Sequence, residues 1–98
     1  MVGVVSNIVK DMGITHADFF RMLPNAVGDR NCQIRKDGAT LIRGKERILI
    51  SMGPEQERRI AMIRLPHVMV SFSFEAMTAE QVQAFIKRFD RAFQRGGG

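Results

Sequence analysis

The alternation of apolar and polar residues is clearest between Glu46 and Glu75. In His67–Glu75 every second residue is apolar, so the pattern predicts a β-strand with one buried face and one polar face. The same alternation occurs upstream in Glu46–Met52, and Arg58–Leu65 is predicted to be a third strand between the two. The buried set of the last strand would be Val68, Val70, Phe72 and Phe74.

Turn residues separate these three strands. Gly53-Pro54, within Ser51–Gln56, predicts a hairpin connection. Pro66 has no backbone N–H to donate, so we expect it to interrupt the chain between the second and third strands. Short connections of this kind imply antiparallel pairing, because parallel strands need long crossovers.

Two further strand patterns precede this region. Asn31–Lys36 and Ala39–Arg43 flank Asp37-Gly38, which is a strong signal for a short hairpin. Gly44-Lys45 then turns the chain into Glu46–Met52. From these patterns we predict an α+β domain with a four-stranded antiparallel meander, in the order α-α-β-β-β-β-α.

The C-terminal segment has the pattern of an amphipathic helix. Thr78 is suited to the N-cap, and Gln81 three residues later completes a capping box. An apolar stripe with helical spacing follows. The stripe comprises Val82, Phe85, Ile86, Phe89 and Phe93. We expect these side chains to pack on one face of the sheet.

The N-terminal segment predicts two short helices. Apolar residues between Val2 and Met12 are spaced for one helical face, although a strand over Val2–Val9 is the rival interpretation. Thr15 would cap the second helix, which Pro24 should limit or bend. Two helices joined through glycine resemble a DNA-binding helix-turn-helix. A helical hairpin that covers the sheet is the better interpretation, because Pro24 ends the presumed recognition helix early.

Composition indicates one domain, which we place at residues 1–95 with a flexible glycine tail at 96–98. The chain has no apolar run near membrane-spanning length and no recognisable leader, so we expect a cytoplasmic protein. Its single cysteine excludes an internal disulfide. The net charge of +5 permits an anionic partner but is ordinary for a small domain.

Basic residues near the predicted turns are the first candidate site. If the turns gather at the sheet ends, these side chains could form a cationic rim that binds nucleic acid or an acidic protein. The alternative is a solvated surface that also protects the sheet edges. The set is Arg35, Lys36, Arg43, Lys45, Arg47, Arg58 and Arg59.

Cys32 and Gly98 are the other candidate positions. A reactive Cys32 would need a nearby base or cation such as His67, Arg30 or Arg35, whereas its alternation with Ile34 is typical of a core residue. The terminal glycines are similar to the Gly-Gly end of ubiquitin-like sulfur carriers, and a simple helix stop is the alternative. Two histidines and one cysteine show no metal-ligand spacing, so we predict no metal site and no cofactor.

The second sheet face is predicted to be too apolar for full exposure to water. It would present Leu49, Ala61, Ile63, Leu65 and Met69, so either the N-terminal helices cover it or it is an oligomer interface. We therefore predict a non-enzymatic accessory protein that acts through its sheet surface and cationic rim, as a homodimer. The alternatives are a nucleic-acid-binding module that uses the same cations and, less favoured, a sulfur carrier.

Overall fold

A computed structural model describes residues 6–28 and 30–97. It confirms the α+β class and the antiparallel sheet, but the described residues form six strands and two helices. The elements in chain order are β1 (Ser6–Met12), α1 (His16–Val27), β2 (Asn31–Arg35), β3 (Gly38–Arg43), β4 (Glu46–Met52), β5 (Gln56–Ile60), β6 (Ile63–Glu75) and α2 (Ala79–Gly97).

The main sheet has the strand order β1-β6-β4-β3-β2, and β5 pairs with the beginning of β6. Strands β2, β3, β4 and β6 are neighbours in this sheet and pair antiparallel, as the predicted antiparallel sheet requires. The predicted count of four strands is wrong, because β1 lies against the other side of β6 and β5 is a separate short strand.

Arg58–Leu65 is not one strand, and Pro66 does not interrupt the sheet. The chain reverses at Ala61-Met62, where Ile60 pairs with Ile63, and β6 continues through Pro66 to Glu75. The Pro66 carbonyl oxygen lies near Gly13. The N–H and C=O of a strand residue point the same way, so the missing donor faces the side beyond the end of β1 and no ladder bond is lost.

Gly53-Pro54 does not form the predicted hairpin. Strands β4 and β5 run in the same direction, and both pair antiparallel with β6. Residues 53–55 lie opposite only two residues of β6, between the pairs Met52–Val70 and Gln56–His67. The Gly53 N–H donates to the Met69 carbonyl at 2.9 Å. The segment is therefore a bulge in one long interrupted strand.

The first predicted N-terminal helix is wrong over residues 6–12, which form β1, and residues 2–5 lie outside the described residues. Ile8 and Met12 are four residues apart, a spacing that places them on one face of either a helix or a strand. The segment is a strand because one edge of β6 is available for pairing, and β1 pairs with that edge from Ser6–Phe74 to Met12–Val68. Both the helix-turn-helix and the helical hairpin are excluded.

Both helices begin at the predicted caps. Thr15 Oγ1 accepts from the Asp18 N–H at 3.1 Å, and Thr78 exchanges hydrogen bonds with Gln81 at 2.8 and 3.1 Å. Helix α1 continues through Pro24 to Val27, because the buried Ala26 and Val27 hold its last turn against the core. Helix α2 includes Gly96 and Gly97, and Gly98 lies outside the described residues.

Phenylalanine rings join both helices to the same face of the sheet. Phe89 of α2 lies 5.1 Å from Phe72 of β6 and 4.4 Å from Phe93, and Phe93 stacks on Phe19 of α1 at 5.3 Å. Each buried ring stabilises the fold by about 1.5–3 kcal/mol. The predicted stripe of α2 is thus confirmed, and the opposite face of the sheet carries neither helix.

Candidate interaction surface

The uncovered side of the main sheet, which we call the open face, carries mostly small polar residues. Ser71 and Ser73 of β6 lie there beside Asn7 of β1, and the Ser73 hydroxyl donates to Asn7 Oδ1 at 2.9 Å. Leu49 and Met69 share this face, as predicted. The proposal that an N-terminal helix covers them is wrong, because α1 packs on the other side with Phe19 among the α2 rings.

One hairpin extends beyond the main sheet. It consists of β5, the Ala61-Met62 turn and residues Ile63–His67 of β6, and we call it the arm. Strand β1 stops opposite Val68, so in the described chain the arm contains only its own two strands. The molecule is correspondingly long, with extents of 52 × 24 × 23 Å.

Exposed apolar side chains concentrate on the arm and its base. Seven large hydrophobic residues are exposed in the described chain, and Ile34 on the distant edge strand β2 is the only one of them outside this region. The other six continue the open face onto one side of the arm, with Met62 at the tip 96% exposed. We call them the apolar strip: Val9, Ile60, Met62, Ile63, Leu65 and Met69.

The opposite side of the arm is charged. Arg59 pairs with Arg64 across the two strands, and each guanidinium Nε lies 3.9 Å from Glu57 Oε1. All three side chains are more than half exposed, so these ion pairs are worth little to stability. The arm is therefore amphipathic, with Glu57, Arg59 and Arg64 on the face away from the apolar strip, while Arg58 lies opposite Leu65 on the same face as the strip.

A three-residue cluster fixes the base of the arm to β1. Asp11 Oδ2 accepts from Arg58 Nη2 at 3.1 Å, and Asp11 Oδ1 lies 3.1 Å from His67 Nδ1. One carboxylate thereby contacts both strands of the arm. No local pattern indicates this cluster, because His67 is 56 residues from Asp11 and only the strand register brings them together.

Helix α1 fixes the arm from the other side of the sheet. The His16 backbone N–H donates to Glu55 Oε1 at 2.9 Å, and His16 Nε2 lies 2.8 Å from the Gly53 carbonyl oxygen. Because a carbonyl oxygen only accepts, His16 carries a proton on Nε2. Both contacts hold the bulge between β4 and β5, so they set the direction in which the arm leaves the sheet.

The seven predicted basic residues do not gather at one edge. Successive hairpins turn at opposite ends of a sheet, so Arg35 and Lys36 lie at one end while Arg43 and Lys45 lie at the other. Arg47 lies opposite Glu75 in the register of β4 and β6. Arg58 and Arg59 are both in the arm, but adjacent strand residues point to opposite faces.

A partly buried ion pair supports the end of the sheet far from the arm. The Arg30 side chain is only 6% exposed; its Nη1 lies 2.8 Å from Glu46 Oε1, and its Cζ lies 5.6 Å from the Phe85 ring centre. The hydrogen bond from Arg30 lowers the pKa of Glu46 below its usual value, and Arg43 contributes to the same shift. Arg30 is therefore engaged in holding the fold together.

Cys32 lies half-buried on β2, and burial raises the pKa of its thiol. A raised pKa keeps the thiol protonated and disfavours the nucleophilic thiolate. The cross-strand neighbours of Cys32 are successively Leu41, Ile48 and Phe74, so Phe74 lies three strands away from Cys32. His67 lies a further seven residues along β6 from Phe74. This places His67 more than about 20 Å away, so it does not activate the thiol.

Among the described residues, no three side chains of the metal-ligating types Asp, Glu, His and Cys lie close enough together to hold a metal ion. Neither of the described helices has the length and apolar character needed to span a membrane.

Comparisons of the chain with protein-family models, with curated proteins and with solved structures found no match.

Proposed function

We propose that this chain is a non-enzymatic accessory protein of the cytoplasm that works by binding protein surfaces, and that it forms a homodimer through the apolar strip. The observation that carries the proposal is the concentration of exposed apolar side chains on a hairpin outside the core. An isolated two-stranded hairpin is marginally stable in water at best. A surface packed on the strip would supply the missing support.

The size of the strip supports a binding role. From their exposed fractions, its six residues leave roughly 600 Å² of accessible surface, at the upper end of what a monomeric protein usually shows as one patch. Patches of this size mark interaction sites more often than chance. The cationic rim predicted from the sequence contributes less, since its members are spread over both ends of the sheet and the arm.

Nucleic-acid binding is the second candidate, and the charged face of the arm favours it. Arg59 and Arg64 project from a two-stranded ribbon, a shape that the DNA major groove admits. Binding of this kind would weaken steeply with salt, in proportion to the phosphates neutralised. A Kd for duplex DNA that changes little between low and moderate salt would exclude it.

Light scattering at micromolar concentration tests the main proposal. We expect the wild-type chain to show twice its 11.1 kDa mass. Ile63→Lys places a charge in the strip and should give a monomer. Ile34→Lys is the matched control, because Ile34 is 48% exposed against 59% for Ile63 but lies outside the strip. A wild-type monomer, or equal dissociation by both substitutions, would overturn the proposal.

A further inference from the structure

We infer that the apolar strip is covered by the same strip of a second copy, with the two arms lying antiparallel across a two-fold axis. This inference rests on the self-association proposed above. It adds which surfaces meet and in which direction they run.

The charge pattern favours a second copy over an anionic partner. A two-fold contact brings a surface against itself, so any excess of one charge in the contact would repel. On the face that carries the strip, the Arg58 cation and the Asp11 carboxylate lie 3.1 Å apart in the same chain. The more exposed Arg59 and Arg64 point away from the strip. The strip is therefore close to neutral although the chain carries a net charge of +5.

The area of the strip is sufficient for a modest dimer. Two strips packed together would bury on the order of 1,200 Å², which is the lower end of the range for specific protein interfaces. The arm alone would fall short of this area without Val9 and Met69 at its base. The second copy must therefore reach from the tip of the arm to the main sheet.

An antiparallel arrangement meets this requirement. Met62 and Met69 are separated by seven residues of an extended hairpin strand, or about 23 Å. Antiparallel arms place the Met62 tip of each chain over Val9 and Met69 of the other, with Leu65 near the axis. Parallel arms would instead stack the two open faces and remove Asn7, Ser71 and Ser73 from water, which costs free energy unless each finds a partner.

Cross-linking of single-cysteine variants tests the direction. In a Cys32→Ser background, Met62→Cys and Met69→Cys chains are treated with a short bis-maleimide, separately and as an equal mixture. Both positions are exposed, so the substitutions should leave the core intact. We expect cross-linked dimers in the mixture and few in either variant alone. Ile34→Cys, an exposed position outside the strip, is the control and should give none.

Each contrary result of these experiments points to a different part of the proposal. Efficient cross-linking of Met62→Cys with itself would overturn the antiparallel arrangement and indicate parallel arms. A chain that is dimeric by light scattering but gives no cross-link at either position would place the interface elsewhere. A monomer by light scattering would remove the proposed self-association itself, together with the inference built on it.

Discussion

The two halves of β6 have the same alternating pattern and different surroundings. In Val68–Phe74 every second side chain is buried beneath the helices, whereas in Ile63–His67 the corresponding apolar side chains are exposed on the arm. The alternate positions also change faces, from even-numbered residues in the sheet to odd-numbered residues in the arm. Alternation therefore identifies an apolar face, but it does not show whether the same chain covers it.

The largest effect expected from this contrast is on core stability. Phe72→Ala removes a fully buried ring that contacts Phe85 and Phe89, and should lower the free energy of unfolding by about 3–5 kcal/mol. In protein dilute enough to be monomeric, Ile63→Ala in the arm should lower it by less than about 1 kcal/mol, since little packing within the chain is lost. Urea unfolding measures both, and equal losses would show that the arm belongs to the core.

A smaller effect concerns pH and the Arg30–Glu46 pair. The folded pKa of Glu46 is lower than the unfolded pKa, so the unfolded state binds more protons and stability rises with pH. The contribution, about 1.5–3 kcal/mol for a hydrogen bond to a charged group, is complete above the unfolded pKa and is lost as the pH falls through the folded pKa. Urea midpoints on acidification should fall less steeply for Glu46→Gln than for the wild type, and parallel curves would contradict the assignment.

The smallest expected effect comes from glycine substitutions at two alanines with positive φ, one in the arm and one beside the main sheet. Ala61 in the arm turn and Ala76 before α2 have φ angles of 54° and 59°, a region that favours glycine. Ala76→Gly should raise the free energy of unfolding by about 0.5–1 kcal/mol. Ala61→Gly should slow hydrogen exchange in the arm without moving the urea midpoint, because the arm opens before the sheet. Equal midpoint shifts would mean that both regions unfold together.

Local signals predicted part of this fold. The capping box and apolar stripe of α2 lie within one segment, so the sequence alone was sufficient for that helix. The arm turn was missed because Ala61-Met62 contains none of the residues that usually mark a positive φ. Strand β1 was missed because its apolar spacing suits both helix and strand, and only the register with β6 decides.

The candidate surface was predictable to a smaller extent. Ile63, Leu65 and Met69 were expected on a second apolar face, and all three are exposed on the strip. The cluster of Asp11, Arg58 and His67 depends on pairing between three strands, which no local pattern encodes. The predicted basic residues are spread over the molecule for a related reason, since consecutive hairpins place their turns at alternate ends of a sheet.

Hydrogen exchange of the arm amides at several protein concentrations tests the central claim most directly, which is that the core folds alone while the arm needs a second copy. Amides of residues 56–67 that bond between β5 and β6 should exchange fast in dilute protein and slow as concentration rises. Amides of β3 and β4 in the main sheet should not respond to concentration. An arm whose exchange is independent of concentration would contradict the account.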